Sequence, residues 1–119
     1  MDRGCHAFEL SFQDYFANDT VTCFVNDCLI FDGWTLNSEL DVGLTNVVLK
    51  FANNEILLGS EVLEVSCSPC LMPRNEIAVI LNGHKEVFRV DLDKGVYIGF
   101  DKIADRVRLN QSASPFIYD

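Results

Sequence analysis

Asn75-Glu76-Ile77-Ala78-Val79-Ile80-Leu81-Asn82-Gly83-His84-Lys85-Glu86-Val87-Phe88-Arg89-Val90-Asp91-Leu92 runs straight on into Asp93-Lys94-Gly95-Val96-Tyr97-Ile98-Gly99-Phe100-Asp101. Apolar runs of strand length flank two turn signals, and helical periodicity is nearly absent. Asn82-Gly83 is the strongest two-residue hairpin signal, because both residues tolerate the positive φ that a type I′ turn requires. Asp93-Lys94-Gly95 fits a type I turn closed by a glycine bulge. Registered on that three-residue loop, the second hairpin pairs Leu92 with Val96, Val90 with Ile98 and Phe88 with Phe100. Every pair is apolar, while Arg89, Asp91, Tyr97 and Asp101 take the opposite, solvent-facing side, as in an antiparallel sheet buried on one face. The first hairpin admits two registers. A two-residue loop sets Glu76 opposite Arg89, and a four-residue loop pairs Val79 with Phe88 and Ile77 with Val90; both bury the same residues.

The same grammar extends upstream. Asn53-Asn54 joins two runs in which Val47, Leu49, Phe51, Ile56 and Leu58 share a face. Continuing that alternation past Gly59-Ser60 buries Glu64, whereas skipping one residue buries Leu63, Val65 and Cys67, so a bulge is expected at Gly59. Asn26-Asp27 links Thr20 to Val25 with Cys28 to Trp34, a pair apolar on both faces. Phe8, Leu10 and Phe12 alternate as a strand, and Ser11-Phe12-Gln13-Asp14 resembles a capping box that starts a short helical turn. The polar stretch 36–45 reads as a long loop. The prolines at 69, 73 and 115 fall outside the strand interiors. The expected fold class is all-β: an antiparallel β-sandwich or partly open β-barrel built from consecutive hairpins, with at most one short helix.

With 119 residues, 49% of them hydrophobic and 23% charged, the chain suffices for one folded domain spanning 1–119 and is too apolar for disorder. Its charge balance is unusual: 18 acidic against 9 basic side chains leave a net of -9. Nucleic acid and anionic membrane surfaces are bound through excess Lys and Arg, so neither is expected as a partner. No apolar run approaches the ~18 residues of a membrane span. Asp2 and the Phe8-Glu9-Leu10 segment interrupt any signal-peptide core, so a cytoplasmic location is expected, with the five cysteines as reduced thiols.

Candidate chemistry is sparse. Cys67-Ser68-Pro69-Cys70 has the CxxC spacing of a redox site, but Pro73 opposes the helix that such a site uses to lower a thiol pKa. Cys23 and Cys28, diagonal neighbours on their hairpin, form with Cys67 and Cys70 the only zinc set the sequence offers. Against it stands the ordinary role of cysteine as buried core filler. His6 and His84 neighbour no nucleophile in a catalytic pattern, and no phosphate-binding glycine loop is present. The chain is not expected to be an enzyme or to carry a cofactor.

What remains is the acidic surplus. Asp27, Asp32, Glu39 and Asp41 surround Trp34 in the turn, strand end and long loop of the first half, which reads as an exposed aromatic in a polar loop, and Asp91, Asp93, Asp101 and Asp105 fall on the exposed face and edges of the last hairpin. Each carboxylate alone reads as solvated surface. Together with an aromatic anchor, they suit a binder of a basic protein, since carboxylates stand in for phosphates in a nucleic-acid-binding cleft. The expected function is therefore an acidic protein-binding module, an inhibitor or immunity protein that neutralises a basic partner such as a nuclease toxin by occupying its active-site cleft. The alternatives are a small barrel holding a ligand among Phe88, Val90, Ile98 and Phe100 or a structural zinc, and an oligomeric assembly protein pairing through a strand edge.

Overall fold

A computed structural model of the chain describes residues 7–13, 16–36, 47–52, 55–58, 61–65 and 73–114. These residues form ten strands: β1 (Phe8–Phe12), β2 (Asp19–Val25), β3 (Cys28–Leu36), β4 (Val47–Ala52), β5 (Glu55–Leu58), β6 (Glu61–Val62), β7 (Arg74–Leu81), β8 (His84–Asp91), β9 (Tyr97–Ile103) and β10 (Arg106–Ser112). One 3-10 helix, Leu92–Lys94, separates β8 from β9. The strands make a six-stranded sheet, ordered β10-β9-β1-β4-β5-β6, and a four-stranded sheet, ordered β3-β2-β7-β8. The fold is thus an all-β sandwich of two separate sheets. One pair, β1 with β9, runs parallel, so the sheets are not wholly antiparallel.

Three hairpins follow their turn residues. Leu81 pairs with His84 across Asn82-Gly83, both at positive φ, which selects the two-residue register with Glu76 opposite Arg89. Val25 pairs with Cys28 across Asn26-Asp27, at φ 50 and 66, another type I′ geometry. Ala52 pairs with Glu55, and Leu49, Phe51 and Ile56 are buried as their alternation requires.

Other expectations need correction. The chain does not pass through a bulge after Leu58 but reverses, because β5 and β6 are antiparallel with Leu58 opposite Glu61. Leu63 and Val65 still pack on the core while Glu64 is exposed, so the facing holds and the path differs. Ser11 caps no helix: it is a buried strand residue whose hydroxyl accepts from Gln13 Nε2 at 3.2 Å. The expected turn after it, and the long loop after Leu36, lie outside the described residues.

The largest correction concerns Leu92 to Val96. Here β8 and β9 are not a hairpin, since the chain crosses from one sheet to the other. The Leu92 N–H donates to the Pro73 carbonyl (2.8 Å), and the Leu92 side chain is buried. Gln111 Nε2, on β10, donates to the carbonyls of Asp91 (2.7 Å) and Gly95 (2.8 Å), tying the crossing to the second sheet. Phe88 and Phe100 therefore meet from opposite sheets of the sandwich, with ring centroids 5.1 Å apart and planes tilted by 52°, instead of side by side on one sheet. The alternation is satisfied either way, because both arrangements bury the same side chains.

The core between the sheets centres on Phe12, whose ring lies 5.4 Å from Phe100, 5.6 Å from Phe31 and 6.0 Å from Phe16. Ile98 and Phe100 are fully buried and Val90 nearly so, so these side chains fill the core and line no ligand chamber. A partly buried ionic cluster clamps the sheets at one end. Asp19 at the start of β2 accepts from Lys102 Nζ of β9 (3.0 Å), from Asn82 Nδ2 (2.8 Å) and from the Ala17 N–H (2.8 Å). Burial pushes the Asp19 carboxyl pKa up, but these donors outweigh it and hold it below the usual value.

Candidate functional site

The described carboxylates divide into five that are ion-paired and eight that are not. All five ion pairs among the described residues involve cations from β7 to β10: Arg74 with Asp91 (3.9 Å), Arg89 with Glu76 (3.6 Å), Lys102 with Asp19 (3.0 Å), Arg106 with Glu86 (3.3 Å) and Arg108 with Asp101 (3.2 Å). The first two are exposed contacts between neighbouring strands and contribute little. The Arg106 and Arg108 pairs tie β10 to β8 and to β9.

Glu9, Asp93 and Asp105 are unpaired singly, on β1, in the 3-10 helix and in the β9–β10 turn, whereas Asp27, Asp32, Glu55, Glu61 and Glu64 stand in or beside the outer strands of the two sheets. These five are exposed, and none has a cationic partner among the described residues. Asp27 and Asp32 belong to the β2–β3 turn and β3, which edges the four-stranded sheet; the three glutamates belong to or follow β5 and β6, at the edge of the six-stranded one. These edges lie on one side of the sandwich. Strand β10 packs beside β7 and β8, and Phe12 of β1 packs on Phe31 of β3, so β5 and β6 extend past β3. Two exposed apolar side chains sit among these acids: Leu29 (37% exposed) between Asp27 and Asp32, and Val62 (53%) between Glu61 and Glu64.

Of the residues expected from sequence to meet a partner, Asp27 and Asp32 are on this side, and Asp32 Oδ1 accepts from Thr22 Oγ1 at 3.0 Å. Trp34 is not in a polar loop. It lies within β3, half buried, stacked on Phe31 with centroids 4.3 Å apart and 18° between the planes. Glu39 and Asp41 fall outside the described residues. Asp91 and Asp93 belong to the opposite side, where the Asp91 side chain accepts from the Asp93 N–H (3.0 Å) and caps the 3-10 helix. Asp101 was expected on an exposed face and is only 4% exposed; it accepts from Arg108 and from Asn110 Nδ2 (2.7 Å). Glu55, Glu61, Val62 and Glu64 were not singled out from sequence, because nothing local shows which strand edges share a side.

The cysteines do not assemble as a thiolate set. Cys28 is disulfide-bonded to a cysteine outside the described residues, which corrects the expectation that all five are reduced. Cys23 is free and wholly buried, and burial pushes its thiol pKa up to about 12. Neither offers the thiolate that zinc requires; Cys67 and Cys70 lie outside the described residues. Among the described residues, no group of His, Cys, Asp and Glu has the spacing of a metal site.

Two surface clefts deserve placement. One, of about 310 Å³, lies between the Asn26 turn and Arg74, Glu76, Arg89 and Asp91. Another, of about 760 Å³, separates the Asn82-Gly83 turn from the Ala104-Asp105 turn of the facing sheet and is lined by His84 and Arg106. Both are shallow and bordered by paired or solvated side chains. Among the described residues, no helix is long and apolar enough to cross a membrane. Set against known proteins, the chain matches no family model, and no curated protein or solved structure shows significant similarity to it.

Proposed function

We propose that the chain is an acidic protein-binding module that holds a basic partner against the side formed by β3, β5 and β6. The observation that carries this reading is that none of the five ion pairs among the described residues reaches β3, β5 or β6, where five exposed carboxylates, Asp27, Asp32, Glu55, Glu61 and Glu64, stand in or beside the outer strands. An unpaired cluster of one sign raises the local potential and speeds the encounter with an opposite charge. Leu29 and Val62, exposed within the cluster, supply apolar contacts that slow release.

The finer reading is an inhibitor or immunity protein whose carboxylates occupy the phosphate-binding cleft of a basic enzyme such as a nuclease toxin. The chain serves this role by shape and charge, with no catalysis of its own and no cofactor. As to compartment, the Cys28 disulfide favours an oxidising environment over the cytoplasmic placement expected from sequence.

A comparison of baits tests the proposal. The full chain and its E55K/E61K/E64K variant are immobilised and exposed to native lysate and to secreted protein, and retained species are identified by mass spectrometry. Basic proteins held by the wild type, released by salt and lost with the variant are expected. An identical retained set on both baits, or a set of acidic proteins, would sink the proposal.

A further inference from the structure

The outer face of the four-stranded sheet carries an apolar row on which no other strand of the described residues packs. Cross-strand register places Leu29 beside Phe24, Phe24 beside Ala78 and Ala78 beside Val87, so the row crosses all four strands. Leu29 and Val87, at its ends, are 37% and 53% exposed. Phe24 and Ala78, in its middle, are half buried although their alternation points them away from the core. A contiguous apolar strip on a sheet face marks an interaction surface far more often than scattered exposed residues do.

The neighbouring row shows what covers it. Thr22 pairs with Ile80, and Ile80 with Lys85, while Asp32 accepts from the Thr22 hydroxyl. That row reads Asp32, Thr22, Ile80, Lys85 from one edge to the other: an unpaired acid on β3 and, on β8, a lysine in no ion pair among the described residues. A two-fold axis lying in the face, parallel to the strands, sets β3 of one copy over β8 of the next. Lys85 then meets Asp32 of the second copy twice over. Leu29 meets Val87, and bulky Phe24 meets small Ala78, so the apolar row interdigitates with itself. A surface that is its own complement in both size and charge is what an isologous interface requires.

From these registers we infer that the outer face of the β3-β2-β7-β8 sheet is a homodimer interface whose occupant is a second copy of this chain. Sheets packed this way lie ~30° from aligned. Four strands about 4.8 Å apart and about eight residues long cover roughly 500 Å² per copy, or about 1,000 Å² in all. That is the lower limit for a specific interface, so the dimer is weak and reversible. The inference does not rest on the partner reading. Asp32 and Leu29 lie within the dimer face, so a dimer withdraws them from a basic partner, whereas Glu55, Glu61 and Glu64 stay on the edge of the other sheet.

Sedimentation equilibrium of the full chain, from about 1 µM to 1 mM, reads the association directly. The wild type is expected to dimerise, and D32K and K85E each to weaken dimerisation at least tenfold, since each makes two repulsive contacts per dimer. Positions 32 and 85 are three strand spacings apart, about 14 Å, so neither substitution compensates the other within one copy. The D32K/K85E double variant should regain wild-type association, and an equimolar mixture of the two single variants should form heterodimers. Val87→Lys should abolish dimers in every background. A monomer across the whole range would overturn the inference. So would a dimer that senses K85E but not D32K, which indicates pairing along the β8 edge, or a double variant that stays as weak as the singles.

Discussion

Replacing Asp19 with Asn removes one charge from a site whose three donors come from the segment before β2, the β7–β8 turn and β9. In the wild type, Oδ1 accepts from Lys102 Nζ at 3.0 Å and from Asn82 Nδ2 at 2.8 Å, and Oδ2 accepts from the Ala17 N–H at 2.8 Å. The Asn side chain keeps one acceptor and turns an NH₂ toward a donor on the other side, so at least one contact becomes donor against donor. Charge-assisted bonds contribute about 1.5–3 kcal/mol each, and a stranded buried partner costs more than the bond itself. Lys102 retains some solvent contact, with its side chain 21% exposed, which tempers the loss. A destabilisation of about 2–4 kcal/mol follows, or a fall in Tm of roughly 10–15 °C for a domain of this size. The pH dependence carries a signature. Because the folded-state pKa of Asp19 lies below its unfolded value, the carboxylate stabilises the fold above the unfolded pKa, and this contribution is lost as pH falls through the folded pKa. Urea unfolding followed by circular dichroism from pH 7 to pH 2 should thus show a wild-type advantage that is constant near neutrality and shrinks under acid, below about pH 4. A difference under about 0.5 kcal/mol at pH 7, or one unchanged at pH 2, would refute the clamp.

Other substitutions test single features of the backbone and core. Ala104 stands at φ 57 as the first residue of the β9–β10 turn, a position that suits glycine; Ala104→Gly should raise stability by about 1 kcal/mol in denaturant unfolding, despite the added freedom of the unfolded chain. Gly95, at φ 146, lies so close to the Ser112 carbonyl that a Cβ would run into it; Gly95→Ala should cost at least about 2 kcal/mol in the same assay. The Cys23 thiol, wholly buried and with its pKa pushed up to about 12, should ignore a disulfide reagent at pH 8 until the chain unfolds; reaction in the folded state would mean that β2 opens locally.

The hairpins were legible because their signals are local. Asn82-Gly83 and Asn26-Asp27 dictate tight turns by the φ values they accept, and the alternation on either side decides which residues are buried. Strand partnership beyond a hairpin is not local. The parallel pairing of β1 with β9 sets Leu10 beside Ile98, and no pattern in either strand marks the other as its neighbour. For the same reason Asp93-Lys94-Gly95 could be read as a bulged hairpin: a crossing between sheets needs the same apolar alternation on both sides and a similar turn between them. Asp101 shows how this affects the site. Alternation placed it opposite Phe100 on an outer face, but Arg108 and Asn110 of β10 enclose it, and only the fold brings them there. Glu61 and Glu64 were passed over because their place at the outer edge of a sheet, like that of Asp27 and Asp32, depends on the order of strands in two sheets.

The part assigned to the unpaired carboxylates of β3, β5 and β6 is tested most directly by the association rate of a retained basic partner, measured against ionic strength. For the wild type the rate is expected to fall at least tenfold between about 20 mM and 500 mM salt. In E55K/E61K/E64K that dependence should shrink severalfold, with Asp27 and Asp32 supplying the remainder, whereas Glu76→Lys, on the paired side, should leave it intact. A rate indifferent to salt, or equal loss from Glu76→Lys and from the triple reversal, would contradict a binding side built on unpaired carboxylates of β3, β5 and β6.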